Sequence, residues 1–377
     1  MKKIIVSILA ATCALSSLAA FTWSGLIDNN TKFSANNDFS ALGLNQSNGI
    51  YLSAASKLNE SGTLRFNAEG LYKYYLDCDL KEGESTFKNI VDLDLLKLTG
   101  EFSVGNGVLG LSAGRFQYSD FSGAVFSQVS DGLYLNYNTQ KIKASLYGGY
   151  TGLLNRLNVS MVENEYDEDE NFYALCPKYV PVTADFAYKA LLGSNTIGLQ
   201  AAGFIPVTDD NTLKGYGTLI LNGYLGKVGL YDARVTAGTE KFENLMLDAK
   251  LDLNFFIGKV AMATVGGEYV SGDQGPFDPF VTITARSFGS APFYNGGIIP
   301  KAGITFASNK LLASLTERVV IAMPADEANL DGFDTSVNVT YKLFSDVVIG
   351  CDIGAYICTE VEEKSNYYAT VKASLAF

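Results

Sequence analysis

The chain ends "YYATVKASLAF", Tyr367 to Phe377, and stops on an aromatic residue. Tyr367, Ala369, Val371, Ala373, Leu375 and Phe377 are apolar or aromatic, and Tyr368, Thr370, Lys372 and Ser374 between them are polar. Alternation with a period of two describes one extended strand with two unlike faces. The last residues of a soluble domain usually fray into water, so a closing Phe without a polar tail calls for something that covers it.

The other end, "MKKIIVSILAATCALSSLAA", has Lys2 and Lys3, an apolar stretch from Ile4 to Leu15, and the small-x-small site Ser17-Leu18-Ala19. These are the parts of a secretory signal peptide, too short to span a bilayer. Residues 1–19 are therefore set apart from a single domain over 20–377; Cys13 leaves a lipoprotein anchor as the alternative. No later run of about 18 apolar residues exists, so a helical membrane span is not available. The chain is 47% hydrophobic, with 23 Phe, 22 Tyr, 37 Gly and only 8 Pro, a strand-rich composition. Removing Lys2 and Lys3 takes the net charge from −12 to −14, which argues against a nucleic-acid partner. With no histidine in the chain, His-based triads, His metal sites and His proton switches are excluded.

Alternation recurs along the whole mature chain. In "LMLDAKLDLNFFI", Leu245 to Ile257, Leu245, Leu247, Ala249, Leu251, Leu253, Phe255 and Ile257 oppose Asp248, Lys250, Asp252 and Asn254. Phe333 to Leu343 and Thr63 to Leu76 repeat the design, with charged residues on the polar face, so that face is wet. Short connections fall at Asn59 to Gly62, Gly105 to Gly107, Thr139 to Lys141, Gly193 to Asn195, Gly226-Lys227, Gly258-Lys259, Ser308 to Lys310 and Ser345-Asp346, most of them built from residues suited to tight hairpins. Longer ones lie near 34–48, 77–88, 118–130, 152–181, 205–211, 241–244, 271–297, 324–331 and 360–365. Short and long alternate, and together they join about 18 strands, with 16 as the other count.

This layout is that of an all-β, antiparallel, up-and-down transmembrane barrel. It resembles the outer-membrane porin-type barrels of Gram-negative bacteria, whose last strand carries an assembly signal ending in Phe. Gly114 to Tyr137, "GRFQYSDFSGAVFSQVSDGLYLNY", is also similar to a strand, loop and strand of porin-like and alginate-export-like barrels. The resemblance implies a cell outer-membrane location in a diderm bacterium, contact with lipid, recognition of the Phe377 strand by the assembly machinery, and a homotrimer as one arrangement. It also answers the opening question, since lipid or headgroups would cover Phe377. A secreted soluble sandwich or jelly roll alternates too, but it rarely needs seventeen meander connections. Arg115, Gln117 and Glu317 break the parity, and Leu213 to Leu225 shows no clear face.

Several stretches mimic chemical motifs. Gly110-Leu111-Ser112-Ala113-Gly114 matches G-x-S-x-G, yet that elbow needs a strand-to-helix turn and a His partner. "NEYDEDENFY", Asn164 to Tyr173, opens like a calcium loop, but Phe172 stands where the turn glycine belongs, so it reads as a solvated acidic loop. Cys351 and Cys358 are too far apart on one strand to bond, while Cys78 and Cys176, in external loops, allow a pairing. No catalytic residue, metal site or cofactor is assigned. The residues assigned to a pore lining are Arg65, Glu69, Lys73, Lys97, Glu101, Lys143, Lys189, Arg234, Asp248, Lys250, Asp252 and Lys342. Barrels of 16 to 18 strands leave an aqueous channel, and opposed rows of charge select solutes in pores.

Three functions fit: a passive channel for small hydrophilic solutes, a barrel anchor whose acidic loops bind a surface ligand, and a secreted carbohydrate-active enzyme using a carboxylate pair. For the channel, the nearly uncharged loop Tyr118 to Ser130 is expected to fold inward as the constriction, beside Arg65, Lys97 and Lys143. The acidic loop Gly152 to Pro181 is expected to stay in water.

Overall fold

In a computed structural model, residues 21–159, 161–162, 173–191, 193–208, 212–272, 276–286, 296–323, 328–359 and 365–377 are described. The leader assigned to 1–19 lies outside them. The chain first runs through β1 (Thr22–Asn36), β2 (Leu42–Lys57), β3 (Leu64–Asp79), β4 (Ser85–Val104), β5 (Gly107–Ser119) and β6 (Ser127–Asn138). Then follow β7 (Ile142–Tyr150), β8 (Tyr179–Leu191), β9 (Asn195–Pro206), β10 (Lys214–Leu225), β11 (Gly229–Glu240) and β12 (Met246–Ile257). The last six are β13 (Ala261–Val270), β14 (Gly297–Ala307), β15 (Leu311–Ala322), β16 (Asn329–Lys342), β17 (Val347–Cys358) and β18 (Asn366–Ala376).

Among the described residues these eighteen strands form one antiparallel sheet in which each pairs with its sequence neighbours and β1 also pairs with β18. The count of 18 holds and the sheet has no free edge strand. The seam runs from Leu26↔Ala376 to Asn36↔Asn366. At its lower end Gly25 N donates to Phe377 O at 2.7 Å, and Phe377 N donates back to Gly25 O at 2.9 Å. The Phe377 ring occupies the space that a Cβ on Gly25 would need, so the alternating C-terminal strand closes the ring.

All eight tight turns fall where the sequence places them. Gly226 (φ 61°) and Gly258 (φ 64°) adopt the left-handed conformation that a tight hairpin demands and that costs other residues more. The longer connections gather at the opposite rim, several shorter than their sequence estimates: β1 and β2 are separated by 37–41 only.

Side chains of one parity point outward and stay exposed: Leu251 and Phe255 on β12, Phe333 and Tyr341 on β16, Val371, Leu375 and Phe377 at the C-terminus. The other parity points inward, where Asp248, Thr236 and Asp334 are fully buried. The parity breaks have physical causes. Glu69 faces Leu95 while Gly70 faces Leu93, so Asp94 is an extra residue on β4. Outward positions then switch from Val91 and Leu93 to Leu96 and Leu98, the expected effect of a bulge. On β10 no face was legible because Gly215 and Gly217 stand on the outward side and Tyr216 on the inward one. Arg115 lies where the β4–β5 ladder ends, at Leu96↔Arg115, and its guanidinium bonds Asp131 at 2.7 Å and the carbonyls of Leu93 and Leu153 at 3.1 and 3.0 Å.

Candidate functional site

Inside the ring, three of the longer connections converge. The β5–β6 loop (120–126) buries Val125 and Phe126, the β7–β8 loop buries Leu154 and Met161, and the β13–β14 loop buries Phe280 and Ile283. They pack on wall residues Phe204, Tyr216 and Met246 as one apolar cluster. Backbone bonds stitch the loops together: Ile283 N and Thr284 N donate to Val125 O at 2.8 and 3.1 Å, and Val162 N donates to Ile283 O at 3.0 Å. Tyr216 Oη donates to Val281 O at 2.7 Å, and Phe121 N donates to Gln200 Oε1 at 3.0 Å, so the wall holds the loops as well.

The shorter loop therefore folds inward as its composition indicated. The longer acidic loop does not simply stay in water: its first arm turns inward too. Asn158 Nδ2 bonds Asp92 at 3.2 Å and Asp94 at 3.1 Å, Asn158 Oδ1 accepts from Lys73 Nζ at 3.1 Å, and Leu157 O accepts from Tyr75 Oη at 3.3 Å. Apolar residues Leu154 and Met161 drive this arm into the cluster, an effect the neighbouring carboxylates masked in the sequence. The acidic run 163–172 itself lies outside the described residues.

The most heavily charged wall contact sits under these loops. Arg234 on β11 meets Asp248 on β12 at 3.0 Å and Glu268 on β13 at 2.7 Å, and Arg286 from the β13–β14 loop meets Asp248 at 2.8 Å and also pairs with Glu268. Arg234 further donates to Ser122 O at 2.7 Å. Two guanidinium groups face two carboxylates in a nearly dry site, so each buried charge is compensated, and two loops are tied to one wall. Arg234 and Asp248 were singled out from the sequence. Arg286 was missed because it sits in a connection with no periodicity, and no signal short of a contact map would reveal it.

The remaining assigned residues all stand on the inward parity but do different things. Lys97 lies over the Phe116 ring at 5.0 Å and Lys143 over the Phe121 ring at 5.8 Å, directly beneath the loop cluster. Lys250 and Lys301 share Asp252 at 3.2 and 2.9 Å. Arg65 does not flank the loops; it pairs with Glu101 at 3.8 Å, both exposed, and bonds Gly62 O in a tight turn. Glu69 accepts from Ser53, Lys189 bonds Thr139 O at 3.1 Å near the tight-turn rim, and Lys342 is exposed at the same rim. Ser112 is buried on the continuous strand β5, which has no strand-to-helix turn. Cys78 is a free thiol on β3, so the Cys78–Cys176 pairing is not made. Among the described residues no cluster of metal-ligating side chains exists.

Among the described residues the apolar loop cluster packs mainly on the wall from β5 to β14, and the Asn158 arm reaches across to β3 and β4. Beside this arm lies a cavity of about 410 Å³ between Leu157 and the wall, lined by Lys32, Tyr75, Asp77, Lys88, Asp352 and Lys372 among others. Lys32 lies over the Tyr368 ring at 5.1 Å and Lys73 over Tyr51 at 5.9 Å, so lysines and tyrosines alternate along this open side.

No family model and no curated protein sequence matches the chain. Solved structures do resemble it. The outer membrane protein OprD from Pseudomonas aeruginosa superposes with a TM-score of 0.63 at 12% identity, covering 95% of this chain and 93% of that one. OccK7 (OpdD) of Pseudomonas aeruginosa gives 0.64 at 10% identity over 95% and 99% of the two chains. OccAB3 of Acinetobacter baumannii gives 0.61 at 13% identity, again over 95% and 99%. The likeness is one of fold and extends over nearly the full length of each chain.

Proposed function

We propose that the chain is a passive diffusion channel of the outer membrane of a diderm bacterium, passing small hydrophilic solutes through its lumen without catalysing a reaction. The observation that carries this reading is that, among the described residues, the apolar loop cluster does not fill the closed barrel: a charge-lined cavity is left between the Leu157 arm and the wall of β1–β4, β17 and β18. An apolar outer band facing lipid and a wet inner wall are what a transmembrane barrel requires, since no backbone edge can be left unpaired in hydrocarbon. Solvated, ion-paired wall charges set a field that a solute feels over the few ångströms of the narrowest ring. The C-terminal strand ending in Phe377 is read as the segment engaged by the assembly machinery, and association of copies into trimers belongs to the same proposal. The surface-ligand reading is weaker because three of the longer connections bury apolar residues inside the ring, among them Phe126, Leu154 and Phe280.

Single-channel recording in planar bilayers tests the channel directly. Discrete conductance steps are expected, and deletion of Ser122 to Phe126 is expected to enlarge them because Val125 anchors the β13–β14 loop. A folded barrel that never conducts would refute the reading.

Orientation is tested on intact cells in a Cys78→Ser background. Lys81→Cys, in the β3–β4 connection, should react with an impermeant maleimide, whereas Lys227→Cys and Lys259→Cys, in tight turns, should react only after the cells are opened. The reverse pattern would invert the barrel.

A further inference from the structure

The β4–β5 ladder stops at Leu96↔Arg115, and the β6–β7 ladder stops at Asp131↔Tyr150. Above these rungs β5 and β6 pair only with each other, from Phe116↔Ser130 to Ser119↔Ser127. Their hairpin leaves the wall and turns inward. Tyr118 stacks on Tyr147 of β7 with ring centroids 3.7 Å apart and bonds Thr183 of β8, while Phe116 and Phe126 join the apolar cluster. Among the described residues the upper part of β4, from Ser85 to Leu95, is left with β3 as its one strand partner.

This gap in the ladder lies at the depth of lipid. From the Gly107 turn to Arg115 the wall rises about 20 Å at a strand tilt of about 40°, and an apolar band is about 25 Å tall. On β4, Leu93, Val91 and Phe87 remain apolar, outward and exposed above that point. What stands in the gap is the base of the β7–β8 connection, a short hairpin held by Arg156 N to Ala174 O and Cys176 N to Leu154 O, both 2.9 Å. Among the described residues no ladder joins it to β4. Val91 N donates to Tyr173 Oη at 3.5 Å, Arg115 spans the carbonyls of Leu93 and Leu153, and Asn158 reaches Asp92 and Asp94. Leu153, Tyr173 and Leu175 of the hairpin are exposed. Elsewhere the wall is fixed by repeating backbone bonds, because an unpaired edge is costly in hydrocarbon; here a few side-chain bonds hold a segment that can open locally.

Behind the hairpin the chain runs on to Leu157, which lines the cavity of about 410 Å³ where Lys32, Lys88 and Lys372 stand against Asp77 and Asp352. Apolar residues line the gap, and a chamber with an excess of positive charge lies behind it. That order of surfaces fits a molecule with one apolar chain and an anionic head. We propose that the β4 edge and this hairpin form a lateral portal, through which single-chain anionic amphiphiles such as fatty acids pass between the leaflet on the long-loop side and the lumen. Moving Leu153 and Tyr173 away from β4 opens the gap without breaking a ladder. The portal rests on the reading of the lumen as a solute path and gives that path a second entrance, from lipid rather than from water.

The test is photolabelling of the full chain, reconstituted in phosphatidylcholine vesicles, with palmitate carrying a diazirine beside its carboxylate. Label is expected on Phe87 outside and on Tyr75 and Leu157 inside. In a chain whose four free cysteines are changed to serine, Leu93→Cys and Leu153→Cys are tied by a short reducible bis-thiosulfonate; the carbonyls of these two residues already share the Arg115 guanidinium. The tie should lower inner labelling about tenfold by removing the open fraction, leave Phe87 labelled, and be reversed by reduction. Either cysteine alone should behave as the parent. Tyr173→Ala, which removes the partner of Val91 N, should raise inner labelling about threefold. Ion conductance of the tied chain should persist, so loss of the channel and loss of the portal are read separately. Heat-modifiable migration verifies that each variant is folded. Inner label that survives the tie, a folded parent without inner label, or a Tyr173→Ala chain labelled no more than the parent would overturn the proposal.

Discussion

Arg234→Met is expected to destabilise the barrel by about 3–5 kcal/mol, the range for breaking a buried charge pair from one side. Asp248 is fully buried and Glu268 nearly so, and after the change Arg286 alone would face both carboxylates. Ser122 O would lose its donor as well, loosening the β5–β6 loop from the wall. Denaturant unfolding in detergent micelles should show the loss, and single-channel traces of the same variant should become noisier and larger. If stability and conductance both match the parent, the four-charge cluster does not hold the loops. Removing a carboxylate together with the arginine should recover part of the stability, because fewer charges are left uncompensated.

The second large effect concerns lipid. Val339→Arg should cost about 2–4 kcal/mol, the penalty for a cation near the midplane of a lipid-facing band. Asn338→Arg, one residue away on the inward face beside Asp352, should be mild. Equal costs in a lipid-reconstituted unfolding titration would contradict the parity of β16.

The strands were legible because a closed barrel writes its two faces into every segment with a period of two, and the tight turns punctuate them with glycine and asparagine. The run from Leu245 to Ile257 and the final strand show this most plainly, and every assigned wall charge lands on the inward side. Legibility fails where the pleat fails. Asp94 shifts β4 by one residue without any local signal, and Gly215 and Gly217 erase the outward face of β10. The loops fail for a different reason: what positions Arg286, Asn158 and Ile283 is contact with residues far away in sequence, and composition did not reveal that Leu154 and Met161 carry the first arm of the 152–181 loop inward.

The seam between β1 and β18 also bears on how the molecule comes into being. Its partners, from Leu26↔Ala376 to Asn36↔Asn366, stand at opposite ends of the chain. No amount of early zipping among neighbouring hairpins can complete the cylinder until β18 has been synthesised and delivered to β1. Contacts of such long sequence separation are slow to form, and an open sheet meanwhile exposes two unsatisfied edges to every other nascent chain. The rate-limiting event in biogenesis is therefore expected to be closure of the β1–β18 seam, and deletion of Phe377 should act on the yield of finished barrels far more than on the stability of those that do close.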